Sequence, residues 1–300
     1  MKILITGANG LLGQKLVSLI SSEEEDQLIA TGRGPNRNPE DGASYVYREM
    51  DITDADQTKK VIGEEQPDVV INTAAMTNVD QCEEDHEGCW LMNVTAVEHL
   101  ISACKASGAF LLHLSTDFIF DGANGPYNEE AKPNPISYYG DSKLAAEELI
   151  VNSGIDWAMA RTVLVYGIAH DMSRSNIILW VKKSLEDQKQ IFVVNDQWRT
   201  PTLAEDLAEG CYLISKQKAK GIFNISGKDF LTPYEMAIKT ADYFELDKSF
   251  ITETDGSRFT QKAKRPPRTG FILDKAYNVL GYAPRSFDEG IGILAKQLAE

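Results

Sequence analysis

Residues 2–13, KILITGANGLLG, decide the fold of this chain. Residues 2–6 form a short apolar run typical of a buried strand, and a helical pattern starts at Leu11. Between them, Gly7, Gly10 and Gly13 permit a tight turn, close approach of a diphosphate to the backbone and close helix packing. N–H groups at the start of the helix would face the phosphates. We interpret the segment as a dinucleotide-binding turn; an ordinary glycine-rich turn is the alternative.

Strand and helix patterns alternate through roughly the first 160 residues. The predicted strands are 2–6, 28–31, 45–47, 69–72, 110–115 and 157–161, and the predicted helices are 11–21, 53–64, 87–107 and 138–152. Apolar strands separated by helices predict a parallel sheet that is covered on both faces. The predicted fold class is therefore α/β, a doubly wound (Rossmann) sheet that binds ligands at the carboxyl ends of its strands.

The pattern loosens after residue 166. Helices are predicted near 176–185, 203–215, 233–244 and 287–298, and strands at 191–194 and 221–225. We expect residues 1–166 to form the dinucleotide-binding domain and residues 167–300 a smaller, discontinuous substrate-binding lobe. The return of parts of 203–226 to the first sheet is left open.

Composition narrows the class of partner. The formal net charge of −15 argues against a nucleic acid polymer or an anionic membrane. No apolar run approaches the ~20 residues of a membrane span. A strand pattern beginning at residue 2 predicts that no signal peptide is present. The four cysteines show neither CxxC spacing nor partnering histidines, so we expect reduced thiols, no metal site and a cytoplasmic protein.

One basic segment contrasts with this acidic background. Residues 258–268 contain Arg258, Lys262, Lys264, Arg265 and Arg268. The segment is either an exposed loop or a cover that closes over an anionic small molecule.

The end of the second strand indicates which cofactor is bound. Arg33 follows this strand and Arg37 lies nearby, and arginine suits a 2′-phosphate. Asp26 stands at the wrong end of the strand to bind a free 2′-hydroxyl. We therefore predict NADP(H), with NAD(H) as the alternative. Asp51 follows the third strand and could accept from an adenine amino group or cap a helix, and the small side chains of 72–75 leave room for a flat ring.

Residues 139–143, YGDSK, place a phenol and an ammonium four residues apart at the start of a predicted helix. Such residues share a helix face, so Lys143 can lie beneath the Tyr139 ring. A nearby cation lowers the pKa of a tyrosine from ~10 toward neutrality. Tyr139 could then exchange a proton with a carbonyl or alcohol oxygen.

With the glycine motif, residues 72–75 (NTAA) and the Tyr139/Lys143 pair in order, the chain resembles the extended short-chain dehydrogenases/reductases. Residues 114–122 (LSTDFIFDG) are similar to the STDYVFDG signature of the dTDP-4-dehydrorhamnose reductases, and residues 72–83 (NTAAMTNVDQCE) to that family's NAAAYTAVDKAE-type segment. Further matching motifs are 161–162, 165–167, 195–197, 201–202 and 265–266. The chain departs from the pattern at Phe118, at Trp198-Arg199 and at Thr269-Gly270.

The resemblance implies NADPH-dependent reduction of a 4-keto-deoxysugar nucleotide, with dTDP-4-dehydro-L-rhamnose to dTDP-L-rhamnose as the specific reaction. It implies that Tyr139 is the general acid, that Lys143 tunes it and contacts the nicotinamide ribose, and that Thr116 donates to the substrate carbonyl. Thr116 as a capping residue and Asp117 as a turn former are the structural alternatives.

The motifs and the resemblance together predict which residues bind the cofactor and which bind the substrate. The cofactor set is Gly7, Asn9, Gly10, Leu11, Leu12, Gly13, Arg33, Asp51, Ile52, Asn72, Ala74, Ala75, Asn93, Tyr139 and Lys143. The substrate set is Asp117, Phe118, Trp198 and Arg265. A nucleotide-sugar epimerase or dehydratase and a non-catalytic regulatory subunit are the other functions, and a homodimer is one assembly that the sequence allows.

Overall fold

The computed structural model describes residues 1–38, 44–171 and 175–299. Strands and helices alternate through the first part of the chain, as the sequence predicts. They are β1 (Lys2–Thr6), α1 (Leu11–Ser21), β2 (Gln27–Gly32), β3 (Val46–Glu49), α2 (Ala55–Glu65), β4 (Val69–Asn72), α3 (Val79–Glu84), α4 (His86–Trp90), α5 (Ala96–Ser107), β5 (Phe110–Thr116), α6 (Tyr138–Val151) and β6 (Trp157–Thr162).

The later part of the chain is less regular. Its elements are β7 (Val165–Tyr166), α7 (Ile177–Glu186), β8 (Ile191–Val194), β9 (Thr202–Leu203), α8 (Ala204–Gln217), β10 (Gly221–Asn224), α9 (Pro233–Tyr243), β11 (Ile251–Thr254) and α10 (Phe287–Ala299). Within the described ranges, no helix has both the length and the apolar character that crossing a bilayer requires.

Seven parallel strands form one sheet in the order β10-β6-β5-β4-β1-β2-β3. Apolar side chains of its strands pack on one face against α1 and α8, and on the other against α2, α5 and α6. Burial on both faces explains why β4, with the sequence VVIN, shows no polar alternation. The prediction of a doubly wound α/β sheet is confirmed.

The order of the strands reverses between β1 and β4. From β1 the chain proceeds outward through β2 and β3, then returns to place β4 on the other side of β1. Thr6 and Asn72 are in register at the carboxyl ends of these two strands. A reversal of this kind opens a crevice beyond the strand ends, where doubly wound proteins bind their ligands.

The second half of the chain contributes to the sheet and also builds small units of its own. β10 pairs with β6 at the edge of the seven-stranded sheet, and α8 packs beside α1. β8 pairs with β11 in a separate two-stranded sheet, which packs with α7 and α9. The boundary at residue 166 stays a prediction.

The helix predicted over 87–107 is present as a continuous helical stretch, residues 86–107, with a π-helical turn inside it. Asp85 ends α3 and begins α4, and its carboxylate accepts the N–H of Gly88 at 2.8 Å. The π-helical turn, Leu91–Thr95, joins α4 directly to α5. Residues 79–84 form a helix that the sequence reading missed, because six residues are too few to show an apolar period.

Candidate active site

The turn after β1 has the shape that the glycine spacing predicts. Gly7 adopts a positive φ of 68°. A Cβ on Gly13 would lie 2.2 Å from the carbonyl oxygen of Gly7, so only glycine fits there. Gly10 precedes α1, and no side chain among the described residues caps its first turn. The N–H groups of Leu11, Leu12 and Gly13 are therefore suited to an anion, and the turn fits a dinucleotide diphosphate.

Asn9 organises the loop that carries the two candidate 2′-phosphate ligands. Its amide nitrogen donates to the carbonyl of Pro35 and to the Tyr47 hydroxyl, both at 3.0 Å. Its oxygen accepts the backbone N–H of Arg37 at 2.9 Å. Arg33 and Arg37 themselves are exposed. The structure thus gives Asn9 a structural task and leaves the arginines at the surface of this loop.

Asp51 and Asn72 make local hydrogen bonds. Asp51 accepts from the backbone and hydroxyl of Thr53 at 2.9 and 2.7 Å, while Asp54 caps α2. The side chain of Asn72 is buried and bonded on both sides, to Thr6 at 2.6 Å and to His113 at 3.0 Å. The amide of Asn72 therefore holds neighbouring strands together.

The π-helical turn directs Asn93 into the protein. The Asn93 oxygen accepts the N–H of Met76 at 2.8 Å, and its nitrogen donates to the Met76 carbonyl at 3.1 Å and to Ser142 Oγ at 3.0 Å. Met76 follows Ala74 and Ala75, which are half-buried beyond the end of β4. Ile52, beyond the end of β3, is buried. Asn93 thus fixes the loop after β4 against α6. A role for its side chain at the cofactor stays a prediction.

Thr116 and Tyr139 meet where β5 ends and α6 begins. Ser137 caps α6 by accepting the N–H of Gly140 at 3.2 Å, which places Tyr139 in the first helical turn. Thr116 Oγ1 accepts the backbone N–H of Phe118 at 3.2 Å. Thr116 therefore also caps the short turn that follows β5, as the structural alternative predicted. Both side chains are more than nine-tenths buried. Burial raises the pKa of Tyr139 well above its ordinary value, and the nearby Thr116 hydroxyl opposes this rise.

Lys143 lies on the next turn of α6, and β5 holds its ammonium. Nζ is 2.7 Å from the carbonyl oxygen of Leu114 and 3.1 Å from Nε2 of His113. Burial lowers the pKa of Lys143 to about 8. Burial is the largest influence on the pKa of Tyr139, and it acts against the lowering that the sequence predicts. The ammonium is held at β5, and the expectation that Lys143 lowers the pKa of Tyr139 stays a prediction.

A second buried group lies beside Thr116. The Asp117 carboxylate accepts from the Thr116 hydroxyl at 3.2 Å and from the Thr269 hydroxyl, and Nε of Arg199 lies 3.8 Å away. Burial raises the pKa of Asp117, while the Arg199 charge and the two hydroxyls oppose that rise. Arg199 in turn donates to the carbonyls of Trp198 and Pro266, both at 2.7 Å. Asp117 is part of a buried polar cluster.

The basic segment 258–268 is tied to α3. Arg265 makes two hydrogen bonds with the Asp80 carboxylate, at 2.8 and 2.7 Å, and Lys262 pairs with Glu84. The bonds from Arg265 lower the pKa of Asp80 to about 2. Trp198 lies against the same segment, and its backbone N–H donates to the carbonyl oxygen of Pro267 at 2.8 Å. The segment therefore spans from the second lobe to the Rossmann sheet's helices, with two of its charges already paired.

A groove of about 480 Å³ lies next to this segment, between α7 and β8. Its walls include Trp180, Phe192 and Phe259, and the Arg258 guanidinium stacks 3.5 Å above the Phe192 ring centre. The groove offers aromatic faces and an exposed cation side by side.

Comparison with known proteins identifies the family. The model of the family described as "RmlD substrate binding domain" matches residues 1–300. The chain belongs to this family. Methionine adenosyltransferase 2 subunit beta of Bos taurus is 31% identical over 255 residues, 83% of this chain and 74% of that protein. The spore coat polysaccharide biosynthesis protein SpsK of Bacillus subtilis (strain 168) is 29% identical over 291 residues, 97% of this chain and 95% of that protein.

Solved structures agree with this membership. A dTDP-4-dehydrorhamnose reductase from Clostridium acetobutylicum ATCC 824 superposes with a TM-score of 0.87 at 28% identity, covering 100% of both chains. A dTDP-4-dehydrorhamnose reductase from Bacillus anthracis str. Ames, in complex with NADP, gives 0.83 at 26% identity over 99% of both chains. The resemblance drawn from the sequence motifs is confirmed.

Three residues of the candidate site were not predicted from the sequence. Arg199 and Thr269 stand at noted departures from the family pattern, yet their convergence on Asp117 was not foreseen. His113 gave no signal, because one histidine within an apolar strand is typical of a core position. Phe118, at the third departure, packs edge-on against the Tyr139 ring with 5.7 Å between ring centres.

Proposed function

We propose that this protein reduces the ketone of a sugar nucleotide with NADPH, and that dTDP-4-dehydro-L-rhamnose is its substrate. The observation that carries the proposal is the meeting of the Thr116 and Tyr139 hydroxyls at the carboxyl end of β5. Membership in the RmlD family supports the substrate class. The likeness to reductases of dTDP-4-dehydrorhamnose supports the specific sugar.

The residues around the β1 turn fit a dinucleotide. The backbone of Leu11, Leu12 and Gly13 would bind its diphosphate, and Arg33 with Arg37 would bind a 2′-phosphate. The Bacillus anthracis reductase in complex with NADP supports this choice, and NAD(H) is the alternative. When bound, the reduced cofactor supplies a hydride to the ketone carbon.

Tyr139 has the properties of a general acid. Since burial raises its pKa, the phenol keeps its proton at neutral pH. It can then donate that proton to an oxygen that gains negative charge as the ketone is reduced. Thr116 would donate a hydrogen bond to the same oxygen, which stabilises the developing charge.

The groove beside Phe192 is suited to the nucleotide part of the substrate. Its aromatic side chains can stack on a base, and Arg258 can pair with a diphosphate. We propose that Asp117 and Arg199 lie on the sugar side, since they adjoin Thr116.

The test is a spectrophotometric assay of NADPH and NADH oxidation with a panel of 4-keto nucleotide sugars. We expect stoichiometric NADPH consumption with a 4-keto-6-deoxy sugar nucleotide. An epimerase or dehydratase would convert substrate with no net loss of NADPH. No oxidation with any member of the panel would contradict the proposal.

A cofactor-binding subunit of a larger enzyme is the second candidate. It is favoured by the 31% identity to a protein named as a subunit, methionine adenosyltransferase 2 subunit beta. Purification from the native organism distinguishes the two candidates. Protein that binds NADPH, turns over no keto sugar and elutes in a stable complex with another enzyme would favour this role.

A further inference from the structure

Polar side chains cross the centre of the sheet directly below the crevice. Thr6 on β1 is in register with Asn72 on β4, and Asn72 is in register with His113 on β5. Hydrogen bonds join them at 2.6 Å between Thr6 Oγ1 and Asn72 Oδ1, and at 3.0 Å between Asn72 Nδ2 and His113 Nδ1. At 3.1 Å, His113 Nε2 meets Nζ of Lys143. This four-residue row runs from the glycine turn to α6.

The row is closed off from solvent. Thr6 is 0% exposed, Asn72 and His113 are 1% exposed, and Lys143 is 2% exposed. Burial, with a contribution from the Lys143 charge, holds the pKa of His113 well below its ordinary value. His113 is therefore a neutral imidazole with one N–H and one lone pair.

The neutral His113 ring cannot accept hydrogen bonds from both Asn72 and Lys143 at once. Asn72 Nδ2 and a charged Lys143 Nζ are both donors, yet they face the two nitrogens of a ring that offers one lone pair. Two arrangements resolve the conflict. Either Lys143 is uncharged and accepts from Nε2–H, or Asn72 turns its oxygen toward Nδ1–H while Lys143 donates to Nε2. Thr6, which can donate or accept, matches either orientation of the amide.

We infer that His113 is a positioning residue that couples the protonation state of Lys143 to the orientation of the Asn72 amide. Gain or loss of the Lys143 proton changes the His113 tautomer and rotates Asn72, so no buried group is left without a partner in either state. This lets Lys143 change its charge next to Tyr139 without disturbing the strands that form the crevice. Only the catalytic consequence depends on the proposed reductase function.

Other groups also face Lys143. Leu114 on β5 supplies a carbonyl oxygen that favours the ammonium. Glu147 on α6 and Cys89 on α4 oppose the loss of the charge. The Leu114 carbonyl and the Glu147 carboxylate only accept, and the hydrogen bonds of Cys89 go to Ser142 and Asn93. The coupling to Asn72 is therefore assigned to His113, which contacts both Asn72 and Lys143.

The first test reads the tautomer of His113 by ¹⁵N NMR of the protein without cofactor or substrate. The chain has only four histidines, so the signals can be assigned with single His variants. From about pH 6 to about pH 10, the proton should move from Nδ1 to Nε2 as Lys143 loses its charge. Lys143→Met should abolish this change, while His170→Gln, at an exposed histidine, should retain it. One unchanged tautomer over the whole range would overturn the inference.

The second test is the pH profile of turnover. Removing a neutral acceptor from a buried ammonium should shift the alkaline limb of kcat in His113→Leu to lower pH by about one unit. His113→Gln, which keeps one acceptor, should shift it less and serves if the leucine variant does not fold. A limb in the same place for all three proteins would overturn the inference. Absence of turnover in the wild type would contradict the proposed function alone, since the NMR test needs no substrate.

Discussion

At the scale of single residues, the Asp117 cluster shows how a carboxylate is kept inside the protein. Asp117 is 3% exposed and depends on the Thr116 and Thr269 hydroxyls and on the Arg199 charge. A buried charged group that loses a donor bears the cost of its lost hydration. The cluster therefore joins the stability of the fold to the shape of the site.

Thr269→Val should destabilise the protein, because it replaces a donor to Asp117 with a methyl group of the same size. We expect a loss of about 1–3 kcal/mol in the free energy of unfolding, measured by urea denaturation. Thr269→Ser keeps the hydroxyl and is the matched control. Equal stability of the valine and serine variants would show that this hydrogen bond contributes nothing.

At the scale of elements, α6 must be fixed on the sheet for Tyr139 and Lys143 to reach β5. Its Ser137 cap fixes the start. One turn beyond Lys143, Glu147 makes two hydrogen bonds with Arg161 on β6, at 3.0 and 2.6 Å. Both partners are almost fully buried. The pair fixes the position of α6 along the sheet.

Glu147→Gln should be strongly destabilising, because it leaves the buried Arg161 guanidinium without its counter-charge. The expected loss is about 3–5 kcal/mol, seen as a lower midpoint in thermal and urea unfolding. The exposed pair of Lys220 with Asp156 is the control, and Lys220→Gln should cost less than about 1 kcal/mol. Similar losses for the two variants would contradict this account of α6.

The contact between α3 and the basic segment belongs to the same scale. Since Arg265 lowers the pKa of Asp80 to about 2, the carboxylate stays charged and the pair persists until the pH falls near that value. Asp80→Asn should raise KM for the sugar nucleotide several-fold while kcat changes little, because it loosens a segment beside the groove. Asp156→Asn is the control, since neither Asp156 nor its exposed partner Lys220 lines the groove. An unchanged KM in Asp80→Asn would show that the segment is held by other contacts.

For the whole molecule, the sheet follows from the sequence because most of its strands are apolar runs separated by helices. β1, α1, β4 and β8 have the bounds that were predicted. β7, β9 and β11 were missed, since two to four residues are too few to show an apolar period. Their partners are distant in the chain, as with the pairing of β8 and β11.

In the candidate site, too, local motifs were predictable from the sequence and contacts between distant segments were not. Glycine spacing, Thr116 and Tyr139 were accessible from the sequence because each lies in a local motif. The anchoring of Lys143 by His113, the pairing of Arg265 with Asp80 and the convergence of Arg199 on Asp117 depend on contacts between distant segments. Sequence spacing on one helix placed Lys143 on the correct face but could not show which way its ammonium turns.

The central claim is that Tyr139 supplies the proton when a bound sugar-nucleotide ketone is reduced. The most direct measurement compares wild type with Tyr139→Phe for both the dissociation constant of NADPH and the single-turnover rate of NADPH oxidation. We predict an unchanged dissociation constant and a rate about 10²–10⁴-fold lower in the variant. A variant that oxidises NADPH at the wild-type rate in the presence of the keto sugar would contradict the account.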